Sequence, residues 1–134
     1  MSPCPVSTTS LQRLQAVLQQ FPAIELAVLV GSHANGQARL GSDWDISIRW
    51  TRGLAPTERF MQSAALVQAL AQALGVGAEC IDLIDLQQAR LAMRAVVAEE
   101  GIPLKGDGTL AWHHFLSNTW RELEEFDWRQ RHAA

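Results

Sequence analysis

The chain has 134 residues, of which 48% are hydrophobic and 19% are charged, and its formal net charge is −3. This composition is typical of one globular domain; it excludes a disordered chain and shows no overall basic footprint for nucleic acid. No apolar run reaches the roughly 18 residues needed to span a bilayer. We therefore expect a cytoplasmic protein that does not enter membranes and does not bind nucleic acid directly.

The first half of the chain is predicted to form one helix and two strands. Apolar residues at helical spacing predict a helix over about 9–20, which stops near Pro22. The apolar run 24–30 predicts a buried strand. Residues 31–42 contain three glycines and predict a turn with room for a short helix. Alternation of apolar and polar residues then predicts a half-buried strand over 43–50.

The second half continues with helices and strands in mixed order. We predict a helix over 56–74, a strand over 79–86, a helix over 87–100, a short strand over 102–105 and a last helix over about 109–128. The whole chain, 1–134, is expected to be a single α/β domain of the α+β type. Its one small mixed sheet would carry helices mainly on one face and leave the other face open for chemistry.

Two aspartates stand one residue apart where the second strand is predicted to begin. Asp43 and Asp45 would project on the same side of that strand, about 7 Å apart along the chain. Neighbouring carboxylates repel each other and are costly to hold together unless a cation lies between them. Hard oxygen ligands suit Mg²⁺, and two such ions can stabilise both oxygens of a phosphoryl displacement. We interpret the pair as ligands of Mg²⁺, with two ions expected.

A Gly-Ser pair ends the preceding strand. Gly31 lets the backbone approach a phosphate closely, and Ser32 offers a hydroxyl and an N–H group where a helix could begin. Taken alone, Asp-x-Asp is most often a solvated strand face or a turn, and Gly-Ser is less specific still. Their combination, at the end of one strand and the start of the next with ten residues between, favours a site for nucleotide phosphates and metal.

The string GSHANGQARLGSDWDI resembles a known signature. It is similar to that of the DNA polymerase β-like nucleotidyltransferases, and in particular to the minimal nucleotidyltransferases, whose pattern is close to GSRARGxARxxSDxDL. The resemblance extends over about residues 24–105, which would form the core of the domain. It implies a polymerase β-like fold, ATP as the nucleoside triphosphate donor, Mg²⁺ as the metal, and transfer of a nucleoside monophosphate.

The resemblance also implies which residues contact the nucleotide. Gly31, Ser32 and Ser42 match the positions of the pattern that would do so. Two positions depart from it: His33 and Asn35 stand where the family often has arginines. The departures remove positive charge from the expected triphosphate site.

A third carboxylate is implied by the same resemblance, on a later strand, as the base for the acceptor hydroxyl. Asp82 and Asp85 are the candidates, and their opposite parity means that they cannot share a face of a regular strand. Asp85 at a strand end can reach water or cap the next helix. We favour Asp82, which also matches the family position, and keep Asp85 as the alternative. Asp43, Asp45 and Asp82 are then the predicted catalytic and metal-binding residues.

The chain has no room for a separate acceptor domain, so we expect a partner to supply the acceptor. The resemblance implies a HEPN-domain ribonuclease toxin as that partner, with this protein as its antitoxin, adenylylating a tyrosine of the toxin. The chain contains no tyrosine, so such an acceptor could not be its own. Two alternatives stay open: an antitoxin that neutralises its toxin by binding alone, and a small-molecule nucleotidyltransferase of the aminoglycoside type.

The last predicted helix has a wide apolar face that either completes the core or docks a partner. Trp128 falls off this face and is expected to be exposed. The face consists of six apolar residues: Trp112, Phe115, Leu116, Trp120, Leu123 and Phe126.

Overall fold

The structure, a computed structural model, describes residues 6–133. Elements follow the predicted order, with the short helix after the first strand present. They are α1 (Thr8–Gln19), β1 (Ile24–Val30), α2 (Ser32–Asn35), β2 (Trp44–Trp50), α3 (Pro56–Leu74), β3 (Ile81–Asp85), α4 (Leu91–Glu100), β4 (Ile102–Lys105) and α5 (Leu110–His132).

The four strands form one mixed sheet in the order β3-β2-β1-β4. β1 is antiparallel to both β2 and β4, whereas β2 and β3 are parallel. The parallel pair requires a crossover connection, and α3 provides it, since this helix is the long element between them. The predicted mixed sheet in an α+β arrangement is therefore confirmed.

Helices cover both faces of the sheet, which differs from the expectation of helices mainly on one face. α1 and α3 pack on the face that carries Ala27, Leu29 and Ile46, and they form the larger core there. α4 and α5 pack on the other face over alternate residues of β1, including Leu26 and Val28. The cause is the nearly continuous apolar sequence of β1, which has apolar side chains on both faces and so buries both.

The last helix, α5, extends to His132, beyond its predicted end near residue 128. Two other boundaries in the second half differ from the predicted ones because local turns replace the ends of regular elements. A one-turn 3₁₀ helix occupies Ala78–Cys80, so β3 begins at Ile81 rather than at residue 79. After β3, the carboxylate of Asp85 accepts a hydrogen bond from the N–H of Gln87 at 3.0 Å. This Asx turn delays the start of α4 to Leu91.

The apolar face of α5 is only partly buried. Phe115 lies in the second core, with Trp112 and Leu116 packed against it. Farther along the helix, Trp120 and Phe126 are 39% and 54% exposed. Trp128 is 61% exposed, as predicted for a residue off the stripe. The N-terminal half of the face therefore completes the core, and the C-terminal half is left to solvent. In the described part of the chain, no helix combines the length and apolar character that a membrane crossing requires.

Candidate active site

The two aspartates of the Asp-x-Asp motif lie at the N-terminal end of β2, on the face that α4 and α5 cover elsewhere. Alternation along β2 directs Trp44 and Ile46 into the core with α1 and α3, so Asp45 lies on the opposite face. Asp45 is partly buried, whereas Asp43, just before the strand, is exposed. The motif therefore places one carboxylate in the sheet and one at its rim.

Gly31 brings the end of β1 into direct contact with this carboxylate. Its backbone has φ 77° and ψ −159°, a conformation that is essentially restricted to glycine. A Cβ atom at this position would lie 2.2 Å from Oδ2 of Asp45, well inside contact distance. Only a residue without a side chain fits here. The Gly-Ser pair and the Asp-x-Asp pair, separated in sequence, are thus adjacent in space.

The third carboxylate is selected by strand register. Asp82 pairs with Asp45 across the parallel β2–β3 ladder, so their side chains lie on the same face. Asp85 pairs with Ile48, whose side chain belongs to the opposite face with α1 and α3. The geometry brings Asp82, and not Asp85, beside the Asp-x-Asp motif. This is the arrangement that parity along the strand favours; the catalytic role of Asp82 stays a prediction.

Electrostatics show how closely the carboxylates are crowded. Burial raises the pKa of Asp45 above its ordinary value of 3.8, and the neighbouring charges of Asp82 and Asp43 raise it further. A side-chain hydrogen bond with Asp82 acts in the same direction, while His33 opposes the shift. Three carboxylates held close together repel one another, and a cation bound between them would relieve this repulsion.

The donor set suits a hard divalent cation. Within residues 6–133, no three acidic, histidine or cysteine side chains already converge as a metal cage. Magnesium, however, is usually held by one or two carboxylates together with substrate phosphates and water, rather than by an all-protein cage. Asp43, Asp45 and Asp82 supply carboxylate oxygens without soft ligands, so the residues present fit Mg²⁺ bound together with a nucleotide.

The loop between Gly31 and Asp43 is held by its own side chains. The ring of His33 stacks on Trp44 with 3.6 Å between ring centroids, and its Nε2 lies 3.1 Å from the carbonyl oxygen of Ser42. The hydroxyl of Ser42 accepts a hydrogen bond from the N–H of Arg39 at 2.8 Å. His33 is therefore built into the loop as a structural element. Sequence reasoning missed this contact because it treated Trp44 as a purely core residue.

One protein family matches the greater part of this chain. The sequence profile described as "Polymerase beta, Nucleotidyltransferase" matches residues 12–107, which include the whole sheet and every predicted site residue.

The chain belongs to this family.

Among curated proteins, no sequence is significantly similar to this member.

Solved structures of toxin–antitoxin complexes share the fold. A toxin–antitoxin structure with AMP-PNP has a chain 27% identical to this one with a TM-score of 0.67, covering 90% of this chain and 93% of the other. A mutant of an MntA toxin–antitoxin complex is 25% identical with the same TM-score and coverage. A third structure, a tri-AMPylated HEPN toxin of Shewanella oneidensis with its MNT antitoxin, is 24% identical with a TM-score of 0.62, covering 91% of each chain.

Proposed function

We propose that the protein is an antitoxin that transfers AMP from ATP to a HEPN-domain ribonuclease toxin and thereby neutralises it. The observation that carries the proposal is the joint placement of Gly31, Asp45 and Asp82 around one point at the sheet edge. The neighbouring structures support the donor and the partner: one contains an ATP analogue, and another contains an AMPylated HEPN toxin. A cytoplasmic location suits this role.

The Asp-x-Asp pair has support of its own among these structures. The MntA mutant complex carries two Asp→Glu substitutions at positions two residues apart, the spacing of Asp43 and Asp45 in this chain. A separation of two residues is the shortest one that places two carboxylates on the same face of a strand. We take it as support for assigning Asp43 and Asp45 to the metal and nucleotide site.

The residues then have separate roles. Asp43, Asp45 and Asp82 would hold Mg²⁺, two ions being expected, which neutralises the charge of the triphosphate. The backbone at Gly31 and the hydroxyls of Ser32 and Ser42 would contact the phosphates.

The proposed reaction forms one bond to phosphorus and breaks another. An acceptor oxygen attacks the α-phosphorus, the bond from that phosphorus to the bridging oxygen of the β-phosphate breaks, and pyrophosphate leaves. The acceptor proton passes to the carboxylate of Asp82, or is oriented by it. A tyrosine of the toxin is the proposed acceptor, as the family resemblance implies; this chain contains no tyrosine, so such an acceptor could not be its own.

Neutralisation by binding alone is the second candidate, and one observation favours it. His33 and Asn35 replace arginines of the family pattern, and both are engaged in the loop: His33 stacks on Trp44, and Asn35 Oδ1 accepts from the N–H of Gln37 at 3.0 Å. Neither residue supplies the permanent charge that an arginine would give to a triphosphate. The exposed aromatic residues at the end of α5 would serve as a docking surface in either case.

Turnover separates the two candidates. A small amount of the protein should inactivate a large excess of the toxin when ATP and Mg²⁺ are present, and the toxin should gain the mass of AMP. The modified toxin should stay inactive after the two proteins are separated. The double variant Asp43→Asn, Asp45→Asn is the control and should lose both effects. One-to-one protection without ATP and without a mass gain would instead establish neutralisation by binding.

A further inference from the structure

A polar cavity lies on the same sheet face as Asp45 but toward the opposite end of β2. It has a volume of about 360 Å³ and opens between β2, the turn after β3, α4 and α5. Arg49 lies four residues beyond Asp45, which places it about 13 Å along the strand. None of the proposed metal and nucleotide residues lines the cavity. Its wall consists of Arg49, Leu86, Gln87, Ala89, Arg94, Phe115, Asn118 and Thr119.

The charged groups of this wall are both cations. Residues with two guanidinium groups, one amide from the turn, one amide from α5 and a hydroxyl line the cavity, and none of the acidic residues in the described range 6–133 does so. The two arginines are held by acidic residues that do not line this cavity: Arg94 donates to both carboxylate oxygens of Glu122, and Arg49 lies 3.4 Å from Glu25. Such a wall is complementary to a ligand that carries acceptor oxygens.

Arg94 makes three side-chain hydrogen bonds, whereas Arg49 has only its contact with Glu25 in the part of the chain that the structure describes. The Nε of Arg94 also donates to the carbonyl oxygen of Ala89 at 3.3 Å, so this side chain is fixed in place. The Nε of Arg49 is at ion-pair distance from Glu25, but the contact is not aligned as a hydrogen bond, and within the described residues this buried nitrogen has no hydrogen-bond partner. Arginine has five N–H donors, so a single loose contact leaves capacity for a ligand.

The second independent observation is the hydroxyl of Thr119. This residue is 0% exposed, it lines the cavity, and its Oγ1 has no hydrogen-bond partner among residues 6–133. A helical threonine can bond to the carbonyl three or four residues earlier, but this one does not. A buried hydroxyl without a partner destabilises a fold, and valine has nearly the same shape without that penalty. A group that reached this hydroxyl from the cavity would remove that penalty.

We propose that this cavity binds a small molecule through an oxyanion, either a phosphate or a carboxylate group, held between Arg49 and Thr119. The apolar part of the wall, Leu86, Ala89 and Phe115, accommodates the body of the molecule. None of its wall residues is among those proposed for the nucleotide and the metal, and the site does not depend on the proposed transfer reaction. Its occupation couples β2 to α5, because the two contacting residues lie on these elements.

The first test uses Thr119→Val, with Thr57→Val on the exposed start of α3 as the matched control. Without added anion, Thr119→Val should melt at the same temperature as the wild type or higher, since it removes an unpaired buried hydroxyl. A clear loss of thermal stability in this variant would show that the hydroxyl already has a structural partner, and would overturn the proposal.

The second test titrates inorganic phosphate and acetate at constant ionic strength. At about 100-fold above the dissociation constant, an anion should raise the wild-type melting temperature by on the order of 10 °C. The shift should vanish in Thr119→Val and in Arg49→Gln and persist in Thr57→Val and Arg13→Gln. A response to either anion supports the proposal and identifies the group. No saturable response to either anion, or one that survives in Thr119→Val, refutes it.

A third variant separates this site from the nucleotide phosphates. Ser32→Ala removes a hydroxyl from the proposed triphosphate site and leaves every residue of the cavity wall intact. The anion-dependent shift should be unchanged in Ser32→Ala, and loss of the shift there would assign the anion to the nucleotide site instead. If Arg49→Gln fails to fold, because it also breaks the pair with Glu25, the comparison between Thr119→Val and Thr57→Val decides alone.

Discussion

Replacing Gly31 by alanine tests the contact that brings the two motifs together. The wild-type residue has φ 77° and ψ −159°, and an added Cβ would lie 2.2 Å from Oδ2 of Asp45. The backbone strain alone costs about 1–3 kcal/mol. In addition, the carboxylate of Asp45 must retreat by about 1 Å to restore an ordinary contact. A displacement of that size at a reacting centre lowers catalysis by about 100-fold.

Gly36→Ala is the matched control for this prediction. Gly36 also has a positive φ, 80°, but a Cβ there would have no atom within 4 Å. Its loss of stability should be limited to about 1–2 kcal/mol, the cost of a left-handed alanine. Urea unfolding of both variants gives the stability difference, and AMP transfer to the toxin gives the catalytic one. If Gly31→Ala transfers AMP as well as Gly36→Ala does, Gly31 does not position Asp45.

Three further predictions concern other residues of the fold and the site. Asp82→Asn should stop AMP transfer yet leave nucleotide binding largely intact, and the reverse assignment, with Asp85→Asn as the inactive variant, would contradict the register argument. Asp45→Asn should raise the free energy of unfolding by at most about 1 kcal/mol near neutral pH, since solvent still screens this only partly buried carboxylate. Because folding raises the pKa of Asp45, the stability it contributes is present below pH 3.8 and is lost as pH rises through the folded value, so the advantage of the variant should disappear in acid. Lys105→Met should cost about 1.5–3 kcal/mol in urea unfolding, since the ammonium group donates to the carbonyl oxygens of Leu18 and Phe21 and ties the end of α1 to β4.

Most of the fold could be predicted from the spacing of apolar residues along the chain, because a long, regular spacing fits either a helix or a strand but not both. The alternation of side chains along the strand predicted that Asp82 and Asp85 lie on opposite faces, and the pairing of Asp82 with Asp45 agrees with the choice of Asp82. The pattern failed where apolar residues lie on more than one side of an element. Helical spacing of the apolar residues predicts that Phe60 lies on the buried side of α3, yet it is 76% exposed, whereas Leu66 is buried.

Contacts between distant segments could not be predicted in this way. The stacking of His33 on Trp44 depends on the path of the loop between two strands, which no periodicity describes. The cavity around Arg49 and Thr119 depends on how α5 crosses the sheet, and the angle of that crossing is set by packing of the second core. A buried threonine in a helix was the one available signal, but burial itself is not visible in the sequence.

The position of β3 at the margin of the sheet has a consequence for how the protein avoids self-association. A free strand edge presents unpaired N–H and C=O groups to any other chain, and charged side chains or prolines block such pairing. β3 carries Asp82 and Asp85 on its two faces, and the opposite margin, β4, contains Pro103, which lacks an N–H group. Replacing either aspartate by asparagine therefore removes a charge that opposes pairing of β3 with a strand of another molecule. Both variants should aggregate more readily on partial unfolding, independently of any effect on catalysis.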